Sequence, residues 1–491
     1  MGCGAEPPGP PIGVNPPAPG SDASVPAPGP VMDAAAPAPD ASAPSGGSAA
    51  PQPEDAAVPP PSGPTQVIAE PDDEAAYLYD QSQLRTYELR LTQADLDTLD
   101  ANPAAEEYVP GTLVFEGREY PSVGIRYKGS AGAFIGCVGG GSIENPTGPK
   151  TCRKLSMKVA FDFTDPEGRF YGVRKLQFHS MRNDQSLMRE RLGYALFREM
   201  GVAAPRAVHA RLLINGRLEG LFALVEQIDG RFTRSRFTDG GEGNLYKEIW
   251  PMHDAAQAYL NALETNEDQL PSVARMQSFA AELDAAEGAG LVPLIDEYLG
   301  REAILNYLAV DRVIAHADGP LGFYCGLPAG QGNNPGPIGN HNYYWYEETL
   351  DQRFWMIPWD LDFTFSGRLF GGREAAWDEP VTEMACMCPT TGGGQSGGGG
   401  LRRVAAGCDK LVQGLAQLRD PYRERVRAFV EGPFRAGDVN AKLDAWTAQI
   451  AAAVKEQAQD PEQQPGESAW QSALNALRSS VDQLRGANVA Q

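Results

Sequence analysis

Residues 355–365 read Trp355-Met-Ile-Pro-Trp-Asp-Leu-Asp-Phe-Thr-Phe365. An apolar run ends there in two carboxylates two positions apart, Asp360 and Asp362. Carboxylates at the end of a strand suit a hard divalent cation such as Mg²⁺ or Mn²⁺, which takes oxygen ligands and shares them with phosphates. The flanking Trp and Phe residues argue for a buried setting, where a carboxylate without a partner is costly. The competing reading is a solvated or capping Asp pair. Upstream, Ala315-His-Ala-Asp-Gly-Pro320 leaves Asp318 where a helix gives way to a glycine turn. Asp318 is either a reactive group or a plain helix-end Asp. Between them, His341-Asn-Tyr-Tyr-Trp-Tyr346 supplies Asn342. An acid, an amide and an acid at a strand end follow in the order used by phosphoryl-transfer sites. There one Asp orients or deprotonates the acceptor, and an Asn and a second Asp hold metal against the phosphates.

The first half of the chain offers groups for the phosphates themselves. Gly124-Ile-Arg-Tyr-Lys-Gly-Ser-Ala-Gly132 puts Arg126 and Lys128 on one strand face beside a glycine turn that carries Ser130. Lys154, Ser156 and Lys158 alternate onto one face. Glu190, on a helix expected over residues 184–200, is a candidate ion-pair partner for such a lysine. Singly, each basic residue fits a solvated strand face equally well. Residues 221–229, with Glu226, read as an apolar strand entering a linker where backbone groups can meet an adenine, or as an ordinary core strand.

Taken in order, these segments resemble the CotH family, the spore-coat-protein-H-like atypical kinases. The matching pieces are Val123-Gly-Ile-Arg-Tyr-Lys-Gly-Ser130, Lys154-Leu-Ser-Met-Lys158 with Phe161-Asp162, residues 187–201 with Ala204-Pro-Arg206, Ile214-Asn-Gly-Arg-Leu-Glu-Gly220 with Glu226, Gly243-Asn-Leu-Tyr-Lys247, Asp318-Gly319, Asn342-Tyr-Tyr344 and Ile357-Pro-Trp-Asp-Leu-Asp362. The resemblance implies a protein-kinase-like fold and ATP-dependent phosphorylation of secreted or surface proteins, on Ser or Thr, or of the chain itself. By position it makes Asp318 the catalytic-loop Asp and Asn342 and Asp360 metal ligands. Asp360 is favoured over Asp362 because it directly follows Pro358-Trp359. Lys154 or Lys158 would hold the α and β phosphates, Arg126 and Lys128 would approach the nucleotide, and Glu190 would fill the helix-glutamate role. Two departures stand out. The step from Asp318 to Asn342 is 24 residues, against about five in the usual catalytic loop. No Gly-x-Gly-x-x-Gly loop occurs in the strand-rich half.

The elements that must position these groups divide the chain. Alternating apolar residues predict strands at 85–91, 123–128 and 155–163, and hairpins turning at Glu116-Gly117 and Asn215-Gly216. Thr92 is placed to cap a short helix through Leu99. Helix follows at 184–200, stopped by Gly201, and the chain is mainly helical after Gly230, interrupted by strand-like runs at 342–346 and 354–358. The expected fold class is α+β, a two-lobed protein-kinase-like architecture. Its β-rich lobe covers about residues 75–228 and its helical lobe about 229–487. Residues 1–74 are expected to be a disordered tether.

That tether accounts for much of the composition. The 491 residues carry 41 basic and 64 acidic side chains, net −23. Residues 1–84 hold 11 of the acids and no base, and 19 of the 41 prolines fall in residues 1–64. Such a segment cannot bury enough apolar surface to offset its chain entropy. Met1-Gly2-Cys3-Gly4 before it resembles the mature start of a bacterial lipoprotein, so membrane contact is expected only through a lipid on Cys3, at the cell envelope outside the cytoplasm. The other reading is an ordinary thiol. The remaining six cysteines predict disulfides, Cys137 with Cys152 among them; Cys386-Met-Cys388 lacks the usual zinc spacing. An acidic chain without clustered bases excludes a nucleic-acid partner. The absence of a P-loop and of His-Glu-x-x-His excludes two further classes, and Gly394-Gln-Ser-Gly-Gly398 lacks the strand and helix of a nucleophile elbow. His316 and His341 flank the site and are expected to be structural. The expected partner is a secreted or cell-envelope protein substrate. The rival to the kinase reading is a non-catalytic surface or envelope module on the same fold.

Overall fold

In a computed structural model the described residues are 71, 73–129, 131–141, 145–252, 255–266, 271–325, 338–365, 381–388 and 402–489. Ser130, the glycine run at 392–400 and most of the Gly/Asn/Pro-rich stretch at 326–340 lie outside them, as does the tether up to residue 70.

The first half follows the period-two pattern. Its elements are β1 (Arg85–Arg90), α1 (Gln93–Ala101), β2 (Val109–Phe115), β3 (Arg118–Tyr127), the short α2 (Ala131–Phe134), β4 (Val138–Gly141), β5 (Pro146–Lys150), β6 (Met157–Ala160), β7 (Lys175–His179), α3 (Arg189–Glu199), β8 (Ala207–Ile214) and β9 (Arg217–Val225). Strands β1-β2-β3-β6-β7-β9-β8 close into a barrel. Neighbours are antiparallel except at the closing β1–β8 seam, which is parallel. The alternation is what fills it: Tyr87, Leu89, Leu113, Ile125, Met157, Val159, Leu176, Phe178, Leu212 and Phe222 form one buried apolar cluster. Both hairpin turns fall where the sequence puts them, with positive φ at both central residues of Glu116-Gly117 and Asn215-Gly216. That is the geometry whose twist matches the strands it joins. Thr92 caps α1 by accepting from the Asp95 amide. Strand β7 is an addition to the sequence reading, although Leu176 and Phe178 alternate with Lys175, Gln177 and His179.

Helix α3 begins five residues later than the periodicity predicts. The Asp184 carboxylate accepts from the amides of Ser186 at 2.9 Å and of Met188 and Arg189 at 2.8 Å, and so spends residues 184–188 on a capping turn. Gly201, at φ +75°, ends it as expected.

The second half contains α4 (Gly230–Arg236), β10 (Asn244–Lys247), α5 (Ala256–Leu260), α6 (Ala274–Ala285), α7 (Leu291–Tyr298), α8 (Arg301–Val313), β11 (Phe323–Cys325), β12 (Ile338–Gly339), β13 (Tyr343–Glu347), β14 (Phe354–Pro358), β15 (Arg402–Val404), α9 (Lys410–Ala416), α10 (Arg419–Glu431), α11 (Ala436–Gln457) and α12 (Glu467–Val489). A second apolar core joins α3, the outer side of β9 and this helical half, and includes Trp470, Leu474, Leu477 and Val481 from α12. The fold is α+β, with strands also in the helical half: β10-β13-β14 form one small sheet and β12-β11-β15 another. Disulfides link Cys137 to Cys152, Cys325 to Cys388 and Cys386 to Cys408. All six cysteines expected to form disulfides are therefore paired.

Candidate active site

A cavity of about 460 Å³ lies between the barrel and the helical half. Its upper wall is the outer face of three neighbouring strands. In the antiparallel register Arg126 of β3 stands opposite Lys158 of β6, and Lys158 opposite Gln177 of β7. All three line the cavity, with Ser156. Like charges directly opposite each other across two strands are destabilising. Arg126 is partnered by Glu106. Lys158 has no hydrogen-bond or ion-pair partner among the described residues, and burial, with Lys128 and Arg126 nearby, pushes its ammonium down to about 7.

Beyond Gln177, β7 ends at His179, which links Glu190 to Lys128, one of the lysines open to it. The Lys128 ammonium donates to His179 Nε2 at 2.7 Å, and His179 Nδ1 donates to Glu190 Oε1 of α3 at 2.7 Å. Two partners of opposite role fix a neutral ring, and burial, then Lys128, holds its pKa well below the usual histidine range. Trp359 packs edge-on against the His179 ring at 5.4 Å between centroids, and its own ring lies 5.2 Å from the Lys128 ammonium.

The lower wall comes from β13 and β14. Their antiparallel pairing puts Asn342 and Asp360 just beyond a common end, and the Trp359 amide donates to the Asn342 carbonyl at 3.2 Å. Both residues are left-handed, Asn342 at φ +67° and Asp360 at φ +51°. Asn and Asp tolerate that conformation better than most side chains, and such backbone gathers at functional sites. Helix α3 supports the turn after Asp360: Tyr194 Oη accepts from the Asp360 amide at 3.1 Å, and Arg189 donates to the Asp362 carbonyl at 3.1 Å. Asn183 donates to the Asp362 carboxylate at 3.0 Å. From the other side, buried His316 reaches the Asp360 carbonyl at 3.3 Å while bonded to Asp311 at 2.9 Å.

His179, Glu190 and Asp360 each offer one ligand atom, and these atoms lie within 4.8 Å of one another. A divalent cation can be held there once Lys128 gives up His179 Nε2, with Asn342 and Asp362 on the same cavity wall. Burial, then Glu190, raises Asp360; burial, then Asp360, raises Asp362 well above the carboxylate range. Both directions follow from several carboxylates sharing a dry site.

Asp318 also faces the cavity. Its Oδ1 accepts from Tyr324 and from His341 Nε2 at 2.9 Å, and Asn342 Nδ2 donates to its Oδ2 at 3.1 Å. Burial alone would raise this acid, but His341 and Tyr324 reverse the sign and hold it below the usual range. Asp318 in turn lifts His341 to about 9 against its burial. Arg403 of β15 donates to Tyr324 Oη and stacks over its ring at 4.6 Å.

Two expected nucleotide contacts lie elsewhere. Lys154 points away from the cavity, because its ammonium donates to the Leu221 carbonyl at 2.8 Å and sits over the Phe222 ring. Of the two lysines left open by the sequence, Lys158 is the one that lines the cavity. Glu226 is fully buried behind the linker and tied up by arginines: Arg206 and Arg231 at 2.7 Å and Arg236 at 2.5 Å. Arg206 and Arg231 also bind Asp73, so a residue assigned to the tether belongs to this cluster. The linker does border the cavity, through Gln227 and Ile228. His179, Lys247, Gln227 and Tyr324 were not singled out by sequence; the period-two alternation of β7 was a signal for the first.

Fold and site together define an α+β cleft protein whose cavity sets cations on its barrel wall against carboxylates on its helical wall. The model of the CotH family, described as CotH kinase protein, matches residues 125–486, and the chain belongs to that family. It is 24% identical to inner spore coat protein H of Bacillus subtilis (strain 168) over 305 residues, 60% of this chain and 73% of that protein. Against the inner spore coat protein H-like protein of the same organism it is 43% identical over 72 residues, which cover 15% of this chain and 23% of that protein.

Proposed function

We propose that this chain transfers the γ-phosphate of ATP, with Mg²⁺ or Mn²⁺, to a serine or threonine of a protein acceptor or of itself. The observation that carries this reading is the cross-strand pair Arg126 and Lys158 in a cavity that also holds Asp318, Asn342, Asp360 and Asp362. A partly buried like-charge pair, with one member unpartnered, calls for an anion. Lys158, Arg126 and Lys128 would bind phosphate oxygens, with Lys247 alongside. Asp360, with His179 and Glu190 or with Asn342 and Asp362, would hold the cation, which when bound neutralises phosphate charge. Asp318, held ionised, is suited to orient the acceptor hydroxyl, because its three donors leave one of its roughly four lone-pair sites open on Oδ2.

The test is label transfer from γ-labelled ATP by the full chain, to itself or to an added protein, with Mg²⁺ or Mn²⁺. Transfer is expected to fall at least about 100-fold in Asp318→Ala and in Asp360→Ala, the scale for removing a catalytic acid–base group. Transfer that survives both substitutions overturns the reading. The three donors already on the Asp318 carboxylate favour a second reading, a non-catalytic surface or envelope module. Calorimetry that finds no ATP–metal binding, beside tight binding to an envelope ligand, decides for that one.

The acceptor we propose is a secreted or cell-envelope protein, met outside the cytoplasm by a chain tied to the membrane through a lipid on Cys3. Three disulfides support an oxidising compartment. Membrane fractionation of wild type against Cys3→Ser tests it: equal release of both overturns the lipid.

A further inference from the structure

We propose that Gln227 selects the base of the bound nucleotide, and that the base is adenine; this rests on the nucleotide reading of the cleft above. The residue sits where β9 leaves the barrel for the linker, and its two sides are clamped. Glu226 before it is held by Arg206, Arg231 and Arg236, and its amide donates to the Arg206 carbonyl at 2.9 Å. Ile228 after it is buried, and Asp229 caps α4 by accepting from the amides of Arg231 and Phe232. Between these anchors Gln227 lines the cavity, partly buried. Its carboxamide oxygen is buried and has no hydrogen-bond partner among the described residues.

A buried amide oxygen without a donor is rare, because it has lost water and gained nothing in exchange. At the edge of a ligand cavity such an atom marks the place of a ligand donor. A carboxamide presents an acceptor and a donor side by side in one plane. Adenine presents the complement, its exocyclic amino group beside a ring nitrogen, and Gln reads adenine by this bidentate pair in other settings. With the oxygen on the buried side, the match is a purine that carries an amino group at position 6. A 6-oxo purine sets oxygen against oxygen unless the amide is reversed. Ile228 and Tyr344, which line the same cavity, supply apolar contact for the ring.

The experiment is calorimetric titration of the full chain, with Mg²⁺, against ATP, inosine triphosphate and purine riboside triphosphate, which lacks the amino group. Wild type is expected to prefer ATP about tenfold or more over either analogue, the low to middle range for one bidentate pair. In Gln227→Met, which keeps the length and removes both polar atoms, the three affinities should converge on that of the purine riboside. Gln227→Glu keeps an acceptor and should retain part of the preference. Melting temperatures of both variants check that they fold. A preference that persists undiminished in Gln227→Met, or a wild type that binds ATP without preferring it, overturns the role of Gln227 and leaves the kinase reading standing. A wild type that binds none of the three overturns both.

Discussion

Glu226 shows how residue type can mislead at the scale of a single side chain. A glutamate at the end of an apolar strand looks like a cleft residue, yet its carboxylate is buried among Arg206, Arg231 and Arg236. Breaking a buried ion pair by removing one partner leaves the others uncompensated, at about 3–5 kcal/mol. Glu226→Ala should therefore lower unfolding stability by about that much in urea, and unchanged stability would contradict the cluster's role. The same geometry sets a pH dependence. Burial alone would raise Glu226, but Arg236 and Arg206 overcome it and bring the carboxyl down to about 2 from its ordinary 4.5. The folded state thus takes up this proton later than the unfolded chain. Its contribution is complete above pH 4.5 and is lost as pH falls toward 2. His209, pushed down to about 3 by burial and by Arg191, adds a loss of the same sign that starts near 6.5. Acids raised by burial, Asp360 and Asp362 among them, act with the opposite sign at higher pH, so the test is the difference between variants: relative to wild type, the fall in stability between pH 4.5 and 2 should flatten in Glu226→Gln. An unaltered slope there would sink the assignment.

At the scale of elements, α3 organises the lower wall of the site. One helical face, spaced by i to i+4 and i+5, carries Arg189 to the Asp362 carbonyl, Glu190 to His179, Gly193 against Leu361 and Tyr194 to the Asp360 amide. Gly193 is there for close approach: a Cβ would stand 2.8 Å from Leu361 Cδ1 and 3.3 Å from its Cβ. Gly193→Val should push the turn bearing Asp360 and Asp362 off the helix. The expected cost is about 1–3 kcal/mol of stability, as for other overpacked sites. ATP–metal affinity should fall at least about tenfold, with Gly193→Ala between wild type and Val. Full affinity in a folded Val variant, read by calorimetry, would show that α3 does not set the turn. The same helix was legible in sequence as an apolar periodicity stopped by Gly201. Its first turn was not, because the Asp184 capping bonds compete with the helix for residues 184–188.

For the whole molecule, two cores and three disulfides set the stability. Cys137–Cys152 closes a segment with a sequence separation of 15 next to the barrel, a loop size for which chain-entropy reasoning gives about 3 kcal/mol. Cys325–Cys388 and Cys386–Cys408 secure β11 and its surroundings, and β11 carries Tyr324 to Asp318. Reduction should lower the melting temperature of the folded chain. Cys137→Ser with Cys152→Ser should reproduce about 3 kcal/mol of that loss. A melting temperature indifferent to reductant would contradict these pairings as stabilising links. The formal charge of −23 does not describe one acidic surface either: 11 of the acids precede Arg85, and the cavity wall formed by the barrel is cationic.

The sequence alone determined the local features that need only neighbours along the chain. Strand alternation, two hairpin turns, the Thr92 cap, the end of α3 and the ordered set Asp318, Asn342, Asp360 all follow from side-chain periodicity, φ preference and carboxylate chemistry. Tertiary structure decided what depends on register and on which face of a strand meets another element. Lys158 turns into the cavity and Lys154 does not, because the Leu221 carbonyl captures the Lys154 ammonium. Lys128 and Glu190 meet through His179 rather than directly, because β7 ends between them. Glu226 leaves the nucleotide side for an arginine cluster that includes Asp73. Leu221 lies 67 positions from Lys154 and His179 lies 51 from Lys128, and a buried charge goes to the partner that best replaces its water.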